Sequence, residues 1–597
     1  MRGARPLPRL ALLALAAAYL LPGLFGRDPW RHADLAAFGQ MLAIADGRSG
    51  WLAPTLGGVA ADAALLPHWL GAAAILLLSP LVDAPLAARL AFALLLALSL
   101  LFTWAASYHL ALTDAAQPLP LAFGGEAEPV DYARAIADAS VLALMATLGL
   151  LQLGHETTPE LAQLACVALF AYALAAAPFR RWQPRAAVIA ALPLLAGSGG
   201  PTVALVMGVA GSEVCRRSAY PAVQAFRRWV LAATALAAGL AWAMGTWQWR
   251  AALPQAGDLL AIPRQWLWFL WPAWPLVLWT LWRWRGYMLH RHLAVPLVVA
   301  ATGLAANLAM RGSDRALMLA LPGLAMLAAF ALPTLKRSAS AAIDWFSMFF
   351  FSGAAITIWV LYSAMQTGVP AKPAANIAKL APGFVARFSP LALTVAVLGT
   401  LAWLALVRWR TGRQREALWK SLVLPAGGVA LCWLLTMTLL LPPLDYARSN
   451  RALVQRVAAQ VGRGECIAAP GAQASLVASL EVLGGFRVDA RPAAASGDCP
   501  VLLRSGTAGP VPQVPGWTLQ AALQRPTERS ERTWLYRRSA SGAASGSASG
   551  VGSGAEFGKV SGAGSAAIDA AIEAASPTAP PLARTRADGS VTRMRVP

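Results

Sequence analysis

Apolar segments long enough to cross a bilayer recur along the chain and restrict what it can fold into. A helix of about 20 residues spans roughly 30 Å of hydrocarbon. We place thirteen such segments at 8–25, 65–82, 84–110, 138–153, 158–177, 186–211, 228–246, 264–283, 293–310, 316–333, 344–364, 389–407 and 421–441. Only 13% of the residues are charged, about half the share found in soluble domains. The sequence predicts an all-α polytopic membrane protein.

The positive charges set the expected orientation. The net charge is +21, but Arg and Lys cluster in short runs between the apolar segments, where membrane proteins keep them, so nucleic acid is not an expected partner. Cytoplasmic loops carry the excess of such residues, which predicts a cytoplasmic N-terminus, an external loop 112–137 and an external C-terminal region. One run disagrees, because Arg180, Arg181 and Arg185 would lie outside.

The composition changes after the last apolar segment, and we divide the chain there. Residues 1–444 form the predicted transmembrane domain, 445–538 a small α/β domain, and 539–597 a disordered tail rich in Ser, Gly and Ala. In the α/β domain one helical face and three short strands are expected, at Leu453, Val454, Val457 and Val461, and at 466–468, 486–488 and 501–503. Because disulfides persist outside the cytoplasm, we expect Cys466 to pair with Cys499 there.

The first external loop, residues 26–64, is the most informative stretch. Leu35, Phe38 and Leu42 share one face of a predicted helix that lies on the membrane. Asp34 stands at the start of that helix. Spacing alone favours an ordinary helix cap for this aspartate, with a catalytic carboxylate as the alternative.

The residues of this loop resemble a known family. The pattern Asp-Pro-Trp-x-x-x-Asp-x-x-x-Phe-Gly at 28–39, followed by Gly-Trp-Leu-Ala-Pro-Thr-Leu-Gly-Gly at 50–58, is similar to the first periplasmic loop of glycosyltransferase family 39. That family has the GT-C membrane fold and includes protein O-mannosyltransferases and the lipid A aminoarabinose transferase. The latter also has thirteen spans and a small periplasmic domain. The resemblance implies transfer of a sugar from a polyprenyl-phosphate donor.

The resemblance also implies roles for particular residues. An acidic residue at the place of Asp34 is implicated in activating the acceptor hydroxyl, and the acid of a second motif corresponds to Asp62. Three family residues are absent: the Glu after Asp34 is Leu35, a basic residue is Ala37, and the lysine expected near the donor phosphate is Ala63. Another cation must therefore compensate if the protein is active.

Further side chains at the expected external face complete the predicted site. Asp138 is a carboxylate at a membrane interface, which is a functional candidate or a helix cap. Arg311 and Arg315 lie in a turn and suit bidentate phosphate contact, with solvated surface arginines as an equally frequent alternative. The sequence identifies no metal-ligand residues and no cofactor. Whether the reaction requires a divalent cation is left open by the carboxylates alone. We interpret the segment 155–160 as a helix cap at the cytoplasmic face.

These observations favour a bacterial inner-membrane glycosyltransferase that passes a lipid-linked sugar to a lipid, glycan or protein acceptor in the periplasm. The alternative is a non-catalytic or transport-type membrane protein on the same scaffold. Transporters often have broken helices near the membrane centre, and the sequence predicts such a break around Ala196-Gly197-Ser198-Gly199-Gly200-Pro201.

Overall fold

A computed structural model of the protein describes residues 7–61, 64–118, 127–247, 252, 254–255, 257–411, 418–462 and 464–539. The α-helices of this part of the chain are α1 (Arg9–Leu20), α2 (Ala33–Ala45), α3 (Leu65–Leu78), α4 (Ala84–Ala111), α5 (Pro129–Ala146), α6 (Leu148–Leu153), α7 (Pro159–Ala176), α8 (Gln183–Gly197), α9 (Pro201–Arg216), α10 (Pro221–Ala243), α11 (Asp258–Phe269), α12 (Ala273–Arg283), α13 (Arg291–Ala309), α14 (Asp314–Met318), α15 (Leu321–Ala329), α16 (Arg337–Thr367), α17 (Ala371–Leu380), α18 (Pro390–Thr411), α19 (Lys420–Leu439), α20 (Leu441–Arg448), α21 (Arg451–Ala458) and α22 (Ala474–Gly484).

The strands form two small sheets. They are β1 (Thr55–Leu56), β2 (Val59–Ala60), β3 (Cys466–Ala468), β4 (Arg487–Asp489), β5 (Val501–Thr507), β6 (Trp517–Leu523) and β7 (Glu531–Arg538). The first two pair as a short antiparallel hairpin. The other five make one mixed sheet in the order β4-β3-β5-β7-β6, in which β3 runs parallel to both of its neighbours.

Apolar helices of spanning length confirm a polytopic membrane protein. Within the described residues, seven helical stretches are long and apolar enough to cross a bilayer: Ala84–Ala111, Pro159–Ala176, Arg291–Ala309, Asp314–Thr334, Arg337–Thr367, Pro390–Thr411 and Lys420–Leu439. Their sequences are rich in Leu, Ala and Val, which fits helices that are shielded from water by other helices or by lipid.

Helix α3 does not carry the chain from one end of the helix bundle to the other, although its composition predicted a crossing. It packs along α2, where Gly71 faces the side chain of Met41, and its start packs against Gly197 through Leu66. The next helix, α4, begins beside the same loop, because Arg89 donates to the carbonyls of Leu24 and Arg27 at 2.9 and 2.6 Å. The prediction of a span at 65–82 was therefore wrong.

Asp138 lies at the end of the bundle opposite Asp34, which corrects the prediction that the two share a face. Asp138 accepts hydrogen bonds from the backbone N–H of Leu7 and from Trp104, both at 2.8 Å. Helix α1 leads from Leu7 toward Tyr19, whose carbonyl contacts His155 beside Asp34. The twelve residues of α1 are about 18 Å long, so they separate the two aspartates.

The predicted sides of the loops beside Asp138 must be corrected in the same way. His109, near the end of α4, stacks on Phe179, so the run from Arg180 to Arg185 lies at the Asp138 end with the other basic loops. The disagreement over those arginines disappears. The expectation that the loop 112–137 lies on the same side as Asp34 was wrong; its residues 119–126 are outside the described part of the chain.

A second error in the predicted spans restores the orientation that the wrong span at 65–82 had reversed. The stretch 186–211, expected as one span, is two helices, α8 and α9, joined by a turn at Ser198–Gly200. The C-terminal domain consequently lies at the Asp34 end, as expected. Trp30 donates to Asp445 at 3.0 Å, and the N–H of Ala490 donates to the carbonyl of Gly57 at 2.8 Å.

Helix α2 is enclosed by protein and does not lie on a membrane surface as expected. Phe38, 1% exposed, packs into the apolar core of the helix bundle, whereas Leu35, 0% exposed, packs against Val477 and Ala478 of α22. A Cβ atom on Gly39 would stand 2.6 Å from the Cβ of Ala478. The absence of a side chain at Gly39 therefore permits the close approach of α2 and α22.

The C-terminal domain has its own apolar core. Leu453, Val454, Val457 and Val461 are buried together with Leu480, which confirms the predicted helical face. The three expected strands correspond to β3, β4 and β5, whereas β6 and β7 were not predicted. Cys466 and Cys499 are disulfide-bonded, with Cα atoms 4.9 Å apart, as expected.

We predict that Gly39→Ala weakens the docking of the C-terminal domain onto α2. The added methyl would overlap Ala478, and overpacking of this kind costs about 1–3 kcal/mol. Gly239→Ala is the matched control, because a Cβ there meets nothing within 4 Å. Thermal unfolding of both purified variants measures the difference, and equal unfolding midpoints would contradict the close approach.

We also predict that removal of the disulfide destabilises the C-terminal domain. The bond closes a loop with a sequence separation of 33 residues. Loop-closure entropy for such a length corresponds to about 3–4 kcal/mol. Limited proteolysis of Cys499→Ser, compared with Cys432→Ser as the control, should reveal faster cleavage between residues 445 and 538. Unchanged cleavage in Cys499→Ser would show that the bond contributes little.

Candidate active site

A buried carboxylate joins the first loop to the segment before α7. Asp34 is 2% exposed, and each of its oxygens accepts two hydrogen bonds. Oδ1 accepts from the N–H and the hydroxyl of Thr157 at 2.7 and 2.8 Å. Oδ2 accepts from the N–H of Trp30 at 3.0 Å and from Arg27 at 3.1 Å. Asp34 therefore does not cap α2, which was the alternative that spacing favoured.

Arg27 balances this carboxylate and is equally buried. Its Nε donates to the carbonyl of Gly23 at 2.8 Å, and its Nη2 donates to the carbonyl of His155 at 2.6 Å. The guanidinium carbon lies 4.6 Å from the ring centre of Trp30, within the range of a cation–π contact. The pair thus fixes the positions of three backbone segments at once.

The ionisation of Asp34 follows from opposing effects. Burial raises the pKa of Asp34, but the charge of Arg27 and the hydrogen bonds from Thr157 and Trp30 outweigh it. The resulting pKa lies below the ordinary value of an aspartate, so the group is a carboxylate at neutral pH. Because both oxygens of Asp34 already accept two hydrogen bonds each, the carboxylate positions Arg27, Trp30 and Thr157.

A second charged cluster adjoins the first. Glu156 accepts from Gln152 at 3.0 Å and from Arg315 at 2.5 Å. Burial and the charge of Asp34 hold the pKa of Glu156 above its usual value, against the lowering effect of Arg315. Nη1 of Arg315 lies 3.7 Å from Oε2 of Glu160, and neither of these two buried atoms has a hydrogen-bond partner.

Arg315 and Glu160 face a cleft with two compartments. The wide compartment, about 280 Å³, is mainly apolar and opens between α9, α13 and α14. The narrow compartment, about 180 Å³, lies between α2 and α7. Glu160, Gln163 and Gly199 line both compartments, so they mark the junction between them.

The predicted site residues are only partly brought together. Arg315 lines the wide compartment and is linked to Asp34 through two intervening residues, Glu156 and Thr157. Arg311 instead pairs with Asp258 at 3.2 Å and with Gln255, away from the cleft lining. Asp138 is at the opposite end of the bundle, and Asp62 falls outside the described residues.

The departures from the family pattern have partial structural explanations. Leu35, where the family has Glu, is buried against the C-terminal domain, an environment that excludes an unpaired charge. Ala37, in place of a basic residue, lines the narrow compartment. Ala63 lies outside the described part of the chain.

Sequence reasoning missed Arg27, Glu156 and Glu160. The segment 155–160 was assigned to the cytoplasmic face because the span at 65–82 shifted the count by one. A glutamate pair flanking Thr157-Thr158-Pro159 was the available signal. Correct topology would have placed it beside the first loop. Among the described residues, no group of three or more His, Cys, Asp or Glu side chains is arranged to hold a metal ion.

Comparisons with known proteins give a structural likeness. No protein-family model and no curated protein sequence matches the chain. A crystal structure of ArnT from Cupriavidus metallidurans bound to undecaprenyl phosphate superposes with a TM-score of 0.54 and 14% identity, over 89% of this chain and 98% of that one. The apo crystal structure of the same ArnT gives 0.54 and 13% over the same shares.

The chain has the fold of ArnT. At this level of identity the likeness concerns the fold alone, and it confirms the resemblance that the first loop predicted. The likeness to ArnT extends beyond the helices of the bundle, because 89% of the chain includes at least part of the C-terminal sheet domain.

We predict that Asp34→Asn destabilises the protein. The amide removes the charge that balances Arg27 and turns two donors toward the donors of Thr157, and breaking a buried pair of this kind costs about 3–5 kcal/mol. Asp258→Asn, which breaks the more exposed pair with Arg311, should leave the unfolding midpoint nearly unchanged. If the two variants unfold at the same temperature, Asp34 is not the structural link described here.

Proposed function

We propose that the protein is a membrane glycosyltransferase that transfers a sugar from a polyprenyl-phosphate-linked donor. The acceptor is a hydroxyl group of lipid A, a glycan or a protein at the Asp34 face. The junction of the cleft carries this proposal. There, an arginine and a glutamate with unpartnered polar atoms stand between an apolar compartment and a smaller, more polar one.

Each compartment suits one part of such a donor. A polyprenyl chain needs an apolar route from the bilayer, which the wide compartment offers between α9 and α13. The phosphate then comes to Arg315, whose Nη1 has hydrogens to donate. In this proposal Arg315 is the cation that compensates for the lysine absent at Ala63.

The reaction needs one base and one stabilised leaving group. The acceptor oxygen forms a bond to the anomeric carbon, and the bond between that carbon and the phosphate oxygen breaks. Polyprenyl phosphate leaves with the bonding electrons, and Arg315 neutralises the charge that develops on it. Glu160 receives the proton of the acceptor hydroxyl, because its Oε2 accepts no other hydrogen bond.

Asp34 has a positioning role in this scheme. Its hydrogen bonds to Thr157 fix the residue that follows Glu156, and Glu156 in turn holds Arg315. The carboxylate thus acts on the phosphate site through two intervening residues. This replaces the direct activation of the acceptor that the family resemblance implies.

The membrane topology is also a proposal. Counting α5 with α6, α11 with α12, and α14 with α15 as single passes, and treating α3 as a surface helix, gives thirteen crossings. Basic residues at the Asp138 end make that end cytoplasmic in a bacterial inner membrane. The N-terminus is then cytoplasmic and the C-terminal domain periplasmic, where a disulfide persists.

The transport alternative loses its supporting feature. The Gly-Ser-Gly-Gly-Pro stretch, which suggested a helix broken at the membrane centre, is a turn between α8 and α9. It lies at the Asp34 end, where Gly199 lines both compartments. A turn at the end of a bundle needs no transport role.

We predict that Glu160→Gln abolishes transfer while preserving stability. The substitution keeps the shape and removes the base, which should lower the turnover rate by about 10²–10⁴-fold. Arg315→Lys keeps a charge but loses the planar pair of donors, so it should mainly weaken donor binding, by up to about 2–5 kcal/mol. Purified protein with radiolabelled polyprenyl-phosphate sugar, under single-turnover conditions, separates the two effects.

Arg311→Ala is the control for both variants, because its side chain pairs with Asp258 outside the cleft. It should keep normal donor affinity and turnover. Wild-type turnover in Glu160→Gln would remove the proposed base. Equal donor affinity in Arg315→Lys and Arg311→Ala would remove the proposed phosphate contact.

A further inference from the structure

The narrow compartment is walled largely by alanine. Six described wall residues are alanines from the first loop, the helices beside it and the C-terminal domain: Ala33, Ala36, Ala37, Ala60, Ala64 and Ala474. The compartment is small, at about 180 Å³, whereas pockets for drug-sized ligands usually measure about 300–1,000 Å³. A single sugar ring suits these dimensions, and an oligosaccharide does not.

Among the described residues that line the narrow compartment, most of the polar groups are amides and a hydroxyl. Gln40, His68, Gln163 and Ser198 line it, and they present amide, imidazole and hydroxyl groups. The amide N–H of Gln163 donates to the carbonyl of Ser198 at 2.7 Å, which fixes the orientation of that side chain. Amide and hydroxyl groups exchange hydrogen bonds with sugar hydroxyls without leaving a buried charge unpaired.

Charge argues against an ionised sugar. Glu160 is the single carboxylate among the described residues of the wall, and its partner charge is Arg315, which lies 3.7 Å away in the wide compartment. A sugar carboxylate would stand near Glu160, and no Arg or Lys among the described wall residues would pair with it. A sugar ammonium would compete with Arg315 for the same glutamate. Either charge would be desolvated without full compensation.

We propose that the narrow compartment binds one uncharged monosaccharide ring, the sugar of the lipid-linked donor. This inference rests on the proposed function, because it assumes that the phosphate of the donor lies at Arg315. It adds the class of sugar: a neutral, hydroxylated ring rather than an acidic or an amino sugar. The helix α22 of the C-terminal domain contributes to the selection through Ala474.

Binding of four defined lipids to the purified full-length protein tests the proposal. They are undecaprenyl phosphate and its conjugates with glucose, with glucuronate and with 4-amino-4-deoxyarabinose, measured by native mass spectrometry. The glucose conjugate should bind at least about tenfold more tightly than undecaprenyl phosphate. The two charged conjugates should show no such gain. Tighter binding of either charged conjugate than of the glucose conjugate would overturn the proposal.

Substitutions that fill the compartment provide the second arm. Ala36→Leu and Ala474→Leu reduce the space from two different elements, so both should remove the gain from glucose and leave binding of undecaprenyl phosphate unchanged. Ala222→Leu is the matched control, because Ala222 is exposed at the start of α10, at the opposite end of the bundle. A retained glucose gain in both filled variants would overturn the assignment of the sugar to this compartment.

The same experiment separates this inference from the proposed function. If undecaprenyl phosphate and all three conjugates fail to bind, the donor class itself is wrong. If undecaprenyl phosphate binds and the glucose conjugate gives no gain, the donor class stands and the neutral-sugar inference falls. Using two filled variants guards against misfolding of one, which its unfolding midpoint would reveal.

Discussion

The ion pair between Arg27 and Asp34 is the interaction on which the Asp34 end of the molecule depends. Both side chains are 2% exposed. Removing two charges from water costs several kcal/mol per ion, and only their attraction and a full set of hydrogen bonds offset that cost. Here the set is nearly complete, because loop carbonyls, loop N–H groups and Thr157 supply the partners. Segments distant in sequence are consequently held in one arrangement.

From this pair a series of charges leads outward to the cleft. Arg27, Asp34, Glu156, Arg315 and Glu160 follow one another, two positive and three negative. Burial first, and then the charge of Asp34, hold the pKa of Glu156 above its usual value. Glu160 lies at the outer end of this series, and its Oε2 accepts no hydrogen bond. In the proposed reaction this oxygen receives the proton of the acceptor hydroxyl.

Much of the fold could be predicted from the sequence, because the membrane imposes a length on every crossing helix. The end of the bundle that carries the C-terminal domain and the disulfide were predicted correctly. The assignments that failed have a common cause. Leu65–Leu78 is as apolar as a spanning helix, but it is 14 residues long and packs on α2. Apolar composition cannot distinguish a helix buried under protein from one buried in lipid.

The site was less predictable, for a related reason. Asp34 was identified through a local motif, but its partner Thr157 lies 123 residues away in sequence, and only the topology brings the two together. The wrong span at 65–82 reversed the side assigned to the segments that follow it. It therefore placed Asp138 on the same face as Asp34 and placed Glu156 and Glu160 on the opposite face. Leu35 illustrates the limit of a motif comparison. The family has a glutamate at this position, but here the side chain packs against α22, which requires an apolar residue.

The contact between α2 and α22 has a consequence for how the protein is made. A chain emerges from the ribosome N-terminus first, so α2 is synthesised several hundred residues before Ala474 and Ala478. Until the final helix has entered the membrane and the sheet that follows it has folded, the narrow compartment lacks one wall. An incomplete chain can therefore carry all of its charged cluster and still have an open, unshaped cavity. The narrow compartment is therefore closed only after the whole C-terminal domain has been synthesised and has folded.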